Sequence, residues 1–425
     1  MNTSIGPSAS IWQNPEFRSY MAATGFTQFA FSMQQLLTNW MFIDTLNTSA
    51  ERVGLAQAMI GLPGLVLMLW GGANADRVDG RGLLIRLYVV MALPSVVLAV
   101  LYQLGYIHFW VITLWALAIA VGNSLASPAL QAMLNRICGT QVQQGVTTST
   151  AIGFLVQICG LILAGQIQTL HAPTVLLVQA AFVLIGSYMI TRLAILPTAS
   201  GVGPTTPHVG QRPSASARAL ATLANIKEGL VVVARDDIIL HVMLLNFASM
   251  LFNAGAFAMV FPFIILKTYH GDAHFLAVMM VVFFSGATVS NFALLRFLPI
   301  LRMGRLFLIM QLTRIVILLA LWSQPNAWVL ALFTFIWGIN MGITSTTCRA
   351  IVQERAEPAY RGRVLSVLNI GFLGAQPFAA VILGSVIAAV GPMNALLPGV
   401  AVSAVIFAYG TLRTRVWRYE SASAL

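Results

Sequence analysis

Two pairs of amides carry the first chemical hint in this chain: Gln28 with Gln35, and Asn246 with Asn253. Each pair is spaced i, i+7, which on an α-helix puts both members on one face, two turns apart. An amide in hydrocarbon is costly unless it finds a partner or faces a wet cavity. Shifting the sequence by 246 − 28 = 218 residues lays Gln28 on Asn246 and Gln35 on Asn253, with Phe29 over Phe247 between them. The pairs therefore read as a symmetric polar lining able to hydrogen-bond a solute; the alternative is bonding between packed helices. Two charges join them. Asp44, beyond Gln35, offers a carboxylate that desolvation could tune to carry a proton, or it sits in the interface. Arg314 lies nine residues past Arg305, about 13 Å further along a helix, and calls for a structural partner or an anionic ligand.

The elements that must hold these side chains are membrane helices. Hydrophobic residues make up 58% of the 425, charged ones 8%, and mean hydropathy is +0.85, too little charge to cover a water-facing surface. Hydropathy and turn residues predict an all-α membrane protein with twelve transmembrane helices. The first six cover about 18–43, 52–74, 83–104, 108–134, 145–169 and 173–195; the second six cover about 237–267, 273–298, 304–323, 326–353, 363–389 and 392–413. With the N-terminus inside, the outer loops hold only Arg52 and Lys267, and 20 of the 23 Lys and Arg lie on inner loops, helix ends and tails. That placement explains the net charge of +11 without nucleic acid as a partner, makes the lipid bilayer the partner instead, and puts both termini in the cytoplasm. Cys138, Cys159 and Cys348 show no metal-ligand spacing. No nucleophile elbow, phosphate loop or His/Cys cluster is present, so neither enzyme, cofactor nor metal is expected.

The chain also repeats itself. At the same shift Ser127 to Leu155 overlies Ser345 to Leu373 without a gap, and Ile152-Gly153-Phe154-Leu155 meets Ile370-Gly371-Phe372-Leu373. Duplicated halves in a membrane chain suggest two bundles around one midplane site, rocking against each other. Three units follow: 1–195, a six-helix bundle; 196–236, a linker; and 237–425, a second bundle. The linker opens with Pro197, Pro204, Pro207 and Pro213 among small residues. It ends in a helical stretch, 217–235, expected to lie at the inner lipid surface.

Between the second and third spans stands Gly71-Gly72-Ala73-Asn74-Ala75-Asp76-Arg77-Val78-Asp79-Gly80-Arg81. It resembles the loop motif of the major facilitator superfamily, with Gly72, Asp76, Arg77 and Arg81 on the motif and Asp79 and Gly80 departing from it. Asn14-Pro15-Glu16-Phe17-Arg18, the stretch Asn225 to Gly229, Arg361-Gly362-Arg363-Val364 and Gly374-Ala375-Gln376-Pro377 resemble its enterobactin-exporter-like and drug-efflux-like branch. One departure is Val156, Gly160 and Leu161, where antiporters tend to carry Gly-x-x-x-Gly-Pro.

The resemblance implies the major facilitator fold and a gating loop in which Asp76 meets the start of helix 11, near Arg361 and Arg363. It also implies a cavity lined by helices 1, 4, 7 and 10, which places Gln28, Gln35, Asn246 and Asn253 in its wall. Asn123, Asn340 and Asn369 extend that wall, and Trp40 flanks it. The expected activity is secondary export of a small amphipathic molecule, drug-like or siderophore-like, across a bacterial inner membrane, with protons as the coupling ion. Uptake, lipid flipping or a non-transporting sensor remain open on the same scaffold.

Overall fold

The computed structural model describes residues 11–71, 80–193, 215–296, 301–358 and 360–421, and the regular structure among them is helical throughout. In the first half α1 is Pro15–Trp40, continued by a wider π-wound turn, Met41–Thr45. It is followed by α2 (Ala50–Gly71), α3 (Gly80–Gln103), α4 (Phe109–Cys138), α5 (Val142–Ala164) and α6 (Ala172–Thr191). The connection ends in α7 (Ala215–Arg235). The second half holds α8 (Asp237–Thr268), α9 (Ala273–Arg296), α10 (Met303–Trp322), α11 (Ala327–Arg355), α12 (Arg361–Asn394) and α13 (Leu397–Leu412). Among the described residues nine helices, α3–α6 and α8–α12, are long and apolar enough to cross a membrane, and α13 has 16 residues.

Local chemistry sets the helix starts. Asn14 caps α1 by accepting from the Glu16 N–H at 2.9 Å, with Pro15 in the first turn, where its missing N–H costs nothing. Asp236 caps α8, accepting from the Ile238 and Ile239 N–H groups, both at 3.0 Å. The expected eleventh span ends where the backbone breaks, at Gly391 with φ 82° and ψ 163°.

Helices pair the same way in both halves. In the first, α1 packs on α5 and α6, α2 on α4, and α3 on α4 and α6; seven labels later α8 packs on α12 and α13, α9 on α11, and α10 on α11 and α13. The halves meet along two seams, α2 with α12 and α5 with α9, and exchanging the halves turns one seam into the other. Close approach on the first seam depends on Gly54, where a Cβ would drive into the Ala380 carbonyl oxygen. Chain alternation puts the starts of α1 and α8 and the end of α13 on one face, the terminal face. On the opposite face all three turns of each half carry a positive-φ residue: Asn47, Gly105 and His171, then His270, Gln324 and Gly391.

Those turns correct the register. From Asn47 to His270 the spacing is 270 − 47 = 223, and the π-turns Met41–Thr45 and Ile264–Thr268 keep it; from Gly105 to Gln324 it is 219. The jump falls in the third helix of each half, for α3 has 24 residues and α10 has 20, one helical turn fewer. A shift of 218, taken from α4 and α5, therefore fails for α1 and α8.

The linker helix packs against the second half. There α7 docks on α12, with the Gly229 backbone against the Arg363 carbonyl and Glu228 accepting from Arg363 Nη1 at 3.0 Å.

Candidate substrate site

Burial along α1 and α8 shows where the crevice lies. From Leu36 to Ile43 every residue of α1 is buried, so this part is enclosed on all sides, whereas Ala22 and Thr24 to Phe29 are half-buried. In α8, Asn253 to Leu266 is buried but for Ala258, while Leu240, His241 and Met243 are partly exposed. The wall is thus open toward the terminal face and sealed toward the opposite one. Phe257 of α8 stacks on Phe283 of α9 with ring centroids 3.5 Å apart, and Trp337 of α11 meets both edge-on. Across the halves Lys267 donates to Asn47 Oδ1, and Gln166 pairs with His274 at 3.2 Å.

The amides do not form a symmetric set. Gln28 lies 28 − 14 = 14 residues past its helix cap and Asn246 lies 246 − 236 = 10 past its own, so the asparagines sit about one turn nearer the terminal face. Their surroundings differ as well. Gln28 and Gln35 are half-buried, and Asn246 and Asn253 are 4% and 3% exposed. The Asn253 Nδ2 donates to Ser403 Oγ at 3.4 Å, and its Oδ1 is buried without a partner among the described residues. Two further π-wound stretches, Met250–Ala254 and Ala256–Val260, bracket Gly255 in α8. Such wide turns break regular helix pairing and recur where helices carry function.

Arg314 supplies the strongest feature. Its side chain is 2% exposed in the middle of α10. The guanidinium donates from Nε to Asn340 Oδ1 at 2.8 Å, from Nη1 to Ser249 Oγ and to Gln311 Oε1 at 3.2 Å, and from Nη2 to Thr344 Oγ1 at 3.1 Å. Every one of these acceptors is neutral. A guanidinium has five N–H donors, so one on Nη2 is left over. Burying a lone cation at this depth costs about 3 kcal/mol or more, and hydrogen bonds to neutral groups satisfy its donors without cancelling its charge. Beside it runs a narrow cavity lined by Asn246, Ser249, Asn253, Arg314, Trp337 and Thr344 among others.

The other expected site residues fall as follows. Asn340 is spent on anchoring: beyond accepting from Arg314, its Nδ2 donates to the Met310 carbonyl and Thr313 Oγ1, both at 2.7 Å, so it braces the guanidinium and does not line the cavity. Asn369 accepts from Arg349 at 3.2 Å, nearer the terminal face. Asn123 is half-buried in α4. Trp40 is buried in the sealed end of α1, its Nε1 without a partner among the described residues. Asp44 is exposed on the opposite face and does not share the Arg314 site. Of the gating loop, Gly72, Asp76 and Arg77 lie outside the described residues. Arg81 donates from Nε to the Ile190 carbonyl at 3.3 Å, tying α3 to α6. Arg361 is exposed at the start of α12, and Arg363 pairs with Glu228. Sequence reasoning missed Ser249, Thr344 and Trp337, which look like ordinary helix residues; Gln311 was findable, three residues before Arg314 on one face.

Comparison with known proteins gives three kinds of likeness. A family profile described as "Transmembrane secretion effector" matches residues 7–424. The Staphyloferrin A transporter of Staphylococcus aureus (strain NCTC 8325 / PS 47) is 30% identical over 172 residues, 38% of this chain; the match spans 40% of that relative's length. Among solved structures, a POT family transporter in complex with 5-aminolevulinic acid has a TM-score of 0.71 at 13% identity, covering 95% of this chain and 99% of that one. The nucleoside transporter NupG gives 0.70 at 12% identity, with 95% and 99% covered. The inward open xylose transporter XylE from E. coli gives 0.66 at 13%, with 97% of each chain covered.

Proposed function

The chain belongs to the transmembrane secretion effector family of major facilitator transporters, and from that premise we propose that it exports a small amphipathic molecule by alternating access. The observation that carries this reading is the burial profile of α1 and α8, open toward the terminal face and enclosed toward the other. In the reading, 1–195 and 237–425 rock as two units joined by 196–236, and the terminal face is cytoplasmic in a bacterial inner membrane. The state described is then loaded from the cytoplasm. Siderophore-like cargo is supported by the relative named for staphyloferrin A; drug-like cargo is supported by the Met and aromatic side chains around the crevice, which adapt to varied shapes.

Protons are the coupling ion in this reading. An exporter driven by them takes its protons, not its cargo, from outside, and Asp44 is the acid at the outer end of a cavity-wall helix. A strain lacking the gene should accumulate more cargo and lose tolerance to some amphipathic drugs or iron chelators. Unchanged tolerance and accumulation across a broad panel contradict export, and lower accumulation points to uptake.

A further inference from the structure

Resting on that carrier reading and deepening it, we infer that the cavity at Arg314 is an anion subsite that seats a carboxylate of the transported molecule. Three independent features converge there. The guanidinium is buried among neutral acceptors only, from Ser249, Gln311, Asn340 and Thr344, so its charge stands uncancelled among the described residues. The cavity beside it is lined by Asn246, which makes no side-chain hydrogen bond among the described residues, and by Asn253, a residue 3% exposed whose buried Oδ1 has no partner among them. The third feature is α8 itself, which is π-wound from Met250 to Ala254, so the backbone departs from regular pairing where Asn253 faces the cavity.

The donor set specifies the ligand. The spare Nη2 N–H of Arg314 and the Asn246 amide N–H groups are donors, which suit carboxylate oxygens. The orphaned Asn253 Oδ1 is an acceptor and suits a hydroxyl or amide N–H next to that carboxylate. A carboxylate carrying a neighbouring donor satisfies all three at once. An anion also supplies the countercharge that the neutral cage withholds, so loading removes the electrostatic cost of keeping Arg314 in the membrane. The free space beside the guanidinium is narrow, so the site takes the polar end of the molecule, the carboxylate and its neighbouring donor, while the apolar remainder lies in the crevice.

Glycolate is the smallest probe with this pairing. The measurement is thermal unfolding of the purified full-length protein in detergent with 100 mM sodium glycolate, acetate or chloride at matched ionic strength, beside neutral glycolamide. Glycolate should raise the wild-type Tm by about 2 °C if its Kd is near 10 mM. Acetate should give less, and chloride and glycolamide little. Arg314→Gln should lose the glycolate shift while its own unliganded Tm stays level or rises, because an uncompensated cation has gone. Arg314→Lys, which keeps the charge but loses the fork, should show a reduced shift and serves if the Gln variant does not fold. Asn253→Ala should erase the margin of glycolate over acetate.

Equal shifts from chloride and glycolate overturn the carboxylate assignment in favour of a general anion site. No glycolate-specific shift in wild type, or an Arg314→Gln variant that is less stable yet still responds, overturns the subsite altogether. Failure of the carrier reading looks different: glycolate still binds, but reconstituted vesicles move no amphipathic probe.

Discussion

The two halves of the molecule share a plan and part company at one position. Counting back from the turns that carry Gly105 and Gln324, Arg314 corresponds to 314 − 219 = 95, which is Ser95. Ser95 sits in a closed, neutral network: it accepts from Trp115 Nε1 at 3.1 Å and bonds Gln179 Oε1 at 3.4 Å, while Gln179 Nε2 donates to the Ala30 carbonyl at 3.2 Å. That network is a packing device with its polarity spent internally. Its counterpart holds a charge with donors to spare, an orphaned amide oxygen and a cavity. Duplication has kept the helix pairing and all six positive-φ turns, which packing and backbone geometry demand, and has let the polar chemistry diverge. On the subsite inferred above, the asymmetry that meets the cargo lies in the second half.

The comparison can be broken most severely at Arg314. Arg314→Gln should lower transport of a carboxylate cargo by about 30- to 100-fold, the worth of a charge-assisted hydrogen bond, and Ser95→Ala should lower it less than about threefold. Vesicle flux assays on the two variants give the ratio; similar losses would make the halves equivalent. Next in size is the seam. Gly54→Leu forces a side chain into the Ala380 carbonyl and should cost about 1–3 kcal/mol, read as lost folded yield and a lower Tm. Third are the amides. Asn253→Leu should weaken cargo binding about fivefold, and Gln35→Leu less, since Gln35 is only half-buried and water can replace its bond. Smallest is the latch between α7 and α12. The Glu228–Arg363 pair is partly exposed, so Glu228→Gln should move Tm by under about 1 °C.

Much of this was legible in the sequence, and the failures are instructive. Hydropathy placed the helices because a lipid-facing surface must be apolar nearly everywhere. The repeat in Ser127 to Leu155 announced the duplication. The single shift misled beyond it, since a one-turn difference between α3 and α10 leaves no mark in composition. Gln28 and Asn246 therefore looked equivalent and are not. Arg314 announced itself by charge and depth. Most of its cage did not, because Ser249 and Thr344 arrive from α8 and α11 and look like routine small polar residues, while Asn340 stood out as an amide but not as a partner of Arg314. The π-wound turns of α8 follow from the fit between helices and not from any residue type.

Accessibility of the amide positions tests the central claim most directly. With Cys138, Cys159 and Cys348 replaced by Ser, single cysteines at Gln28, Gln35 and Asn253 are exposed to a membrane-impermeant maleimide from either side. The crevice described here predicts fast labelling of the positions at Gln28 and Gln35 from the cytoplasmic side, slow labelling at Asn253, and protection of all three from outside. Labelling from outside, or equal rates at Gln35 and Asn253, would contradict it.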